Sequence, residues 1–146
     1  MLFKRVSRTA PEQVFVVAKN VSGSTMTAGY SVVWDLSASV DGVRVTRANT
    51  ATLNAFAGVV DADIANGDYG LIQVYGYRSS AYITRSTSKV SAAGEALECV
   101  NSDWGLMPAA TVASPYAVHA FICETVTSTS GTADSWTTAK VFIRNL

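Results

Sequence analysis

What most constrains this chain is its punctuation. Short apolar runs are each bounded by Gly, Pro, Asn or Ser: VFVVA (14–18), YSVVWDL (30–36), VRVT (43–46), TLNAFAGVV (52–60), YGLIQVYGY (69–77), AYITRST (81–87), ALECV (96–100), YAVHAFICETV (116–126) and AKVFIRNL (139–146). None sustains a 3.6-residue apolar repeat, and they recur at roughly the 8–12-residue spacing of sandwiches and barrels. The pattern predicts an all-β fold, a single compact β-barrel or β-sandwich with short connections and little helix. Sixteen serines and fifteen threonines support that reading, because threonine packs well on a pleated surface.

Local patterns sharpen the expectation. In YSVVWDL, Tyr30, Val32, Trp34 and Leu36 alternate with Ser31, Val33 and Asp35, the signature of a strand buried on one face. Asp41-Gly42 ahead of VRVT signals a hairpin, with Val43 and Val45 inward and Arg44 and Thr46 outward. Asn66-Gly67 gives easy access to positive φ. DADIANGD (61–68) therefore reads as a polar reversal with room for one short helical turn, and YGLIQVYGY as the strand returning from it. Residues 127–138 read as a hydroxyl-rich surface loop, with Trp136 capping the core or exposed.

A chain of 146 residues is long enough for one hydrophobic core, and no shift in composition divides it. Residues 11–146 are expected to form one β domain. Residues 1–10 form a separate N-terminal arm, flexible or ordered by a partner, in which Lys4, Arg5 and Arg8 are basic, Leu2 and Phe3 apolar, and none acidic. Such an arm is expected to contribute more to docking than to folding.

Eleven basic and eleven acidic side chains cancel, so the field expected of a dedicated nucleic-acid binder is missing. No apolar run is long enough to cross a bilayer and none has the form of a secretion signal, which predicts no membrane partner and synthesis in the cytosol. Cys99 and Cys123 lack the spacing of a disulfide framework and read as buried free thiols, although one bridge between them stays open. Asn20-Val21-Ser22 fits a glycosylation sequon but reads as a chance turn.

Chemical constellations are sparse. His119 is the only histidine, which excludes a multi-histidine metal site, and its apolar neighbours mark it as a packed structural residue. Cys123 would share a strand face with it, yet no acid partner or oxyanion donor is identifiable. A calcium loop starting at Asp61 needs Gly at its sixth position and Glu at its twelfth, where Asn66 and Ile72 stand. Asp61 and Asp63 therefore read as groups that satisfy turn amides. No Gly-rich phosphate loop or nucleophile elbow occurs. The expectation is a chain that is not an enzyme and takes no cofactor or metal. Tyr75, Tyr77 and Tyr82, with Arg78 and Arg85, either line a stacking surface for sugars or bases or serve as cross-strand packing.

Two segments carry a resemblance. The turn Asn20 to Gly29, of pattern NxSGxxxxxG, and the stretch Ala57 to Gly76, of pattern AGVxxxxxxxGxYGxxQVxG, are similar to small β-rich structural proteins of tailed bacteriophages, in particular head decoration (cement) proteins. The similarity spans roughly residues 16–83. It implies a non-enzymatic virion protein, assembled in the host cytoplasm, that docks on the outer capsid surface, meets the major capsid protein there, strengthens contacts between capsomers, and self-associates on the shell. Leu2, Phe3, Lys4, Arg5, Arg8, Tyr75, Tyr77 and Arg78 are the candidate partner-binding residues. The competing reading is a carbohydrate- or host-surface-binding β-module of a fibre or tail.

Overall fold

The computed structural model describes residues 2–4, 12–37, 41–84, 91–109, 118–126 and 136–145, without the side chains of 2–4 and 136. The described residues contain ten strands and no helix: β1 (Leu2–Lys4), β2 (Gln13–Asn20), β3 (Ser31–Trp34), β4 (Arg44–Thr46), β5 (Phe56–Val60), β6 (Tyr69–Thr84), β7 (Ala96–Cys99), β8 (Leu106–Pro108), β9 (Ala120–Ile122) and β10 (Trp136–Arg144). The all-β expectation is borne out.

The pairings join all ten strands into one mixed sheet that closes on itself twice. In the first ring β2 pairs β4, β4 pairs β3, β3 pairs β5, β5 pairs β6, and β6 returns to β2. In the second, β6 pairs β10, then β9, β7 and β8 follow, and β8 returns to β6 through the parallel Ile83–Leu106 pair. Strand β6 belongs to both. Its first half, from Tyr69 to Gly76, is a stave of the first ring, and its second half, from Tyr75 to Thr84, pairs β10 in the other.

Each ring has its own apolar filling. One cluster draws Ala18 from β2, Val45 from β4, Val32 from β3, Ala57 and Val60 from β5 and Ile72 from β6, and adds Met26 and Ile64 from the loops. The other draws Ala81 and Ile83 from β6, Val141 and Ile143 from β10, Ile122 from β9, Leu97 and Cys99 from β7 and Leu106 from β8. That second cluster also takes in Val33, Phe56 and Val59, so β3 and β5 are packed on both faces. This is why FAGVV is a continuous apolar run. Fully burying a side chain such as Ile72 stabilises the fold by roughly 1.5–3 kcal/mol.

Several expectations are corrected by this closure. Tyr30, Val32 and Trp34 do share one cluster while Val33 enters the other, but the strand is not half-buried, because the second ring covers its remaining face. Val43 lies outside at 40% exposure while Val45 is fully buried, because Val43 stands at the entry to β4 beside the exposed Asp41-Gly42 turn, its carbonyl accepting from Lys19 N–H of β2 at 2.7 Å. YGLIQVYGY is a strand, as expected, and Gly67 has φ +91°. However, it continues unbroken into AYIT rather than ending at Tyr77. The turn 61–68 holds no helix: Ile64 forms an isolated bridge with Met26 instead, each backbone donating to the other at 2.9 Å. Trp136 opens β10 rather than sitting in a loop. Residues 127–135 lie outside the described residues.

Gly76 is where β6 passes from one ring to the other. It has φ +101°, and a Cβ there would run into the Glu12 carbonyl oxygen, so only glycine lets β2 lie this close. The register of β2 on β6 slips at the same level, between Val14 and Phe15.

Candidate docking surface

The structure places the candidate partner-binding residues in two groups. Leu2, Phe3 and Lys4 pair with Phe15, Val14 and Gln13 of β2, and Val14 and Gln13 pair in turn with Tyr75 and Gly76 of β6. Rows of Phe3–Val14–Tyr75 and Lys4–Gln13–Gly76 thus bring the start of the chain within one strand of the tyrosines. The first residues of the arm are an edge strand. Arg5, Arg8 and Arg85 lie outside the described residues.

Tyr75 and Tyr77 are both half-buried. Tyr77 stands opposite Phe142 of β10, and Phe142 opposite Phe121 of β9. Tyr75 meets the Phe142 ring edge-on, with centroids 5.4 Å apart. Because Val141, Ile143, Ala120 and Ile122 fill the ring, strand alternation puts Phe142 and Phe121 on its outside. The result is a strip of four partly exposed rings across β6, β10 and β9. Its rim carries the Lys140–Glu124 ion pair at 3.1 Å. This pairing lowers the Glu124 pKa, with the Lys140 backbone N–H the main cause, and raises that of Lys140 through hydrogen bonding to Glu124. The two phenylalanines were missed in the sequence because nothing local connects them to Tyr75 and Tyr77; only the β6–β10–β9 pairing does.

Arg78 does not join this strip. Its guanidinium donates to Asp61 Oδ1 at 3.2 Å, to the Ser80 carbonyl at 2.8 Å and to Gln73 Oε1 at 3.4 Å. Burial lowers its pKa, opposed by Asp61. Gln73 is fully buried and donates to the Tyr77 carbonyl at 3.0 Å, which also accepts from Gln13 Nε2 at 2.8 Å. Arg78 therefore serves the irregular stretch of β6 as an internal bracket.

Tyr82 lies apart from the other two tyrosines. It packs edge-on against Tyr30 at 5.1 Å, and Tyr30 stacks on Trp104 at 4.9 Å and 17°. Arg47 lies over the Trp104 ring at 5.8 Å. Trp104 is thus enclosed by a ring on one side and a cation on another, and its carbonyl accepts from Ser31 N–H and Oγ at 2.7 and 2.9 Å. The group ties the β7–β8 loop to β3 of the first ring.

The remaining chemical candidates separate. His119 is 5% exposed and packs on Phe56 with centroids 5.0 Å apart. Burial lowers its pKa, and a hydrogen bond with the Leu53 backbone partly offsets this. Cys123 is exposed and Cys99 buried, and both thiols are free. The expectation of two buried thiols fails for Cys123 because it stands just past the end of β9, on the way out of the sheet. Burial pushes the Cys99 thiol up to about 12. Among the described residues, no three His, Cys, Asp or Glu side chains gather as metal ligands. Asp63 caps a turn as expected, its Oδ1 accepting from Ala28 N–H at 2.8 Å.

The two segments that carry the resemblance meet in space. Asn20 is fully buried and its Nδ2 donates to the carbonyls of Ser24 at 2.7 Å and Ile64 at 2.8 Å, while its Oδ1 accepts from Ser22 N–H and Oγ. With its amide fully occupied, Asn20 is a structural hub. Across from it, Asn66 Oδ1 accepts from Gly23 N–H at 2.8 Å, and Gly67 N–H donates to the Asn20 carbonyl at 2.8 Å.

No family model and no curated protein matches the chain. Among solved structures the fold is similar to the N base of head fiber gp8.5 in bacteriophage phi29, with a TM-score of 0.53 and 18% sequence identity, covering 91% of this chain and 95% of that one.

Proposed function

We propose that this chain is a non-enzymatic structural protein of a tailed-bacteriophage virion, one that binds the outer surface of the head and strengthens contacts between capsomers. The observation that carries the reading is the fold likeness to a head fiber base over nearly the full length of both chains. The strip of Tyr75, Tyr77, Phe142 and Phe121 supplies a surface of the composition that protein interfaces favour, aromatic at the centre with charges at the rim. Strand β1 lies one strand away from it, across β2, so arm and strip would meet the major capsid protein together.

The test is cosedimentation of the purified chain with phage heads that lack it. Saturable binding and a raised melting temperature of the heads are expected. A double Phe121→Ser, Phe142→Ser variant with an unchanged fold should bind at least tenfold more weakly, equivalent to about 1.4 kcal/mol. Failure of the wild-type chain to bind any such head would overturn the reading.

The second reading, a carbohydrate- or host-surface-binding module of a fibre, is favoured by the same strip, since exposed rings stack on sugar faces. Binding to host cells that is competed by a free glycan, without binding to heads, would decide for it.

A further inference from the structure

We propose that Asn66-Gly67 is a deamidation site that the fold holds shut, and that opening of the contact between the 20–24 and 61–68 loops controls its reaction. The chemistry needs only the dipeptide and water. The Gly67 backbone nitrogen loses its proton to a solvent base and attacks Asn66 Cγ. The new N–Cγ bond closes a five-membered imide, the Cγ–Nδ2 bond breaks, and the nitrogen takes up a proton and leaves as ammonia. Water then opens the imide at either carbonyl to give aspartate or isoaspartate. Overall, one water is consumed and one ammonia released. Glycine as the second residue leaves the attacking nitrogen without a side chain in its way.

Asn66 and Gly67 are both exposed, so solvent reaches the site, yet both reacting groups are engaged. The Gly67 N–H, whose proton must leave first, donates to the carbonyl of the fully buried Asn20 at 2.8 Å. The Asn66 carboxamide, which must swing onto that nitrogen, is held by Gly23 N–H at 2.8 Å. Neighbouring bonds keep the turn in place: Asn20 N–H donates to the Asp68 carbonyl at 2.9 Å, and the Met26–Ile64 bridge closes the other side. Attack therefore requires the two loops to part, and the rate falls by the fraction of time they are parted. Isoaspartate adds a methylene to the backbone, so a turn that has opened to isoaspartate cannot restore the Gly67–Asn20 bond in its former register, whereas one that has opened to aspartate keeps its backbone.

The experiment follows deamidation of the full chain at 37 °C and mildly alkaline pH, native and in urea, by peptide mass and by enzymatic isoaspartate methylation. Asn66 is expected to react at least roughly thirtyfold more slowly in the native chain than in the unfolded one, as for a site that must open locally first. Ser22→Ala removes the hydroxyl that joins Asn20 Oδ1 and the Ser24 carbonyl, and Asn20→Ala removes the hub. Both leave Asn66 and Gly67 intact and should speed the native reaction, Asn20→Ala the more. Native and unfolded rates within about fivefold of each other overturn the proposal. So does a native Ser22→Ala rate equal to wild type, a comparison that stands even if Asn20→Ala does not fold.

Discussion

Replacing Gly76 by Ala tests whether the crossing point of β6 is as tight as the geometry requires. Two costs add. An L-residue held at φ +101° is strained by roughly 1–2 kcal/mol. The new Cβ also meets the Glu12 carbonyl oxygen and lies 3.2 Å from Gln13 Cα, both backbone, so β2 has to move off β6. That movement weakens the Gln13–Gly76 pairing and the Gln13 Nε2 bond to the Tyr77 carbonyl, at about 0.5–1.5 kcal/mol for each hydrogen bond. The sum is about 2–5 kcal/mol. Unfolding entropy of about 2.1 cal/mol/K per residue gives roughly 0.3 kcal/mol/K for a chain of this length, so the melting temperature should fall by about 6–16 °C. Gly94 is the control: its φ is +92°, but a Cβ there meets nothing within 4 Å, so Gly94→Ala should lose only about 3–6 °C. Scanning calorimetry of both variants isolates the collision from the backbone strain. Equal losses, within about 3 °C, would show that β2 and β6 do not approach as described and would refute the argument.

Three further outcomes are expected. The folded pKa of His119 lies below its ordinary value of 6.5, so above pH 6.5 both states are neutral and stability is full. As pH falls from 6.5 toward the folded pKa, the unfolded chain takes up a proton that the folded chain refuses, and stability drops by at most about 1.4 kcal/mol per pH unit. His119→Leu should flatten denaturation midpoints across that window, and an unchanged slope would count against the assignment. Cys123 should react with a thiol reagent in the native protein, whereas Cys99, buried and with its thiol pushed up to about 12, should react only on unfolding; two equally fast native thiols would contradict the burial. Asn20→Asp replaces two donated hydrogen bonds with a buried carboxylate facing the Ser24 and Ile64 carbonyls. It should destabilise at neutral pH by about 3 kcal/mol or more and recover partly in mild acid, where the carboxyl is neutral, as followed by urea denaturation.

The strands that the sequence revealed are those whose signals are local. Gly67 announces its turn because positive φ is a property of one residue, and YGLIQVYGY follows it directly. Val32 and Val33 were correctly assigned to opposite faces, because alternation is also local. What covers each face is set elsewhere: Val33 is buried by residues from the second ring, far along the chain, so a strand packed on both sides looked half-buried. The run through Arg78, Ser79 and Ser80 looked like a break because it is polar, yet the Arg78 network and pairing to β10 carry the strand across it. β8 was missed altogether, since Leu106–Pro108 is three residues ending in proline. Among the site residues, Tyr75 and Tyr77 were legible as a pair on one face, while Phe121 and Phe142 became their neighbours only through closure of the ring.

The sharing of β6 between two rings also bears on how the chain reaches its fold as it is made. Every strand of the first ring precedes Arg85 in the chain, so that half can close while synthesis continues. The second half of β6 must wait for β10, the last of the described strands, before its edge is paired. During that interval Tyr75 to Thr84 presents an open edge of unpaired backbone groups, the kind of template on which nascent chains pair wrongly. The long separation between β6 and β10 further predicts slow closure of the second ring. A ribosome-bound chain halted before Trp136 should therefore hold a protected first ring beside an edge that captures β-forming peptides, and adding β10 should abolish that capture.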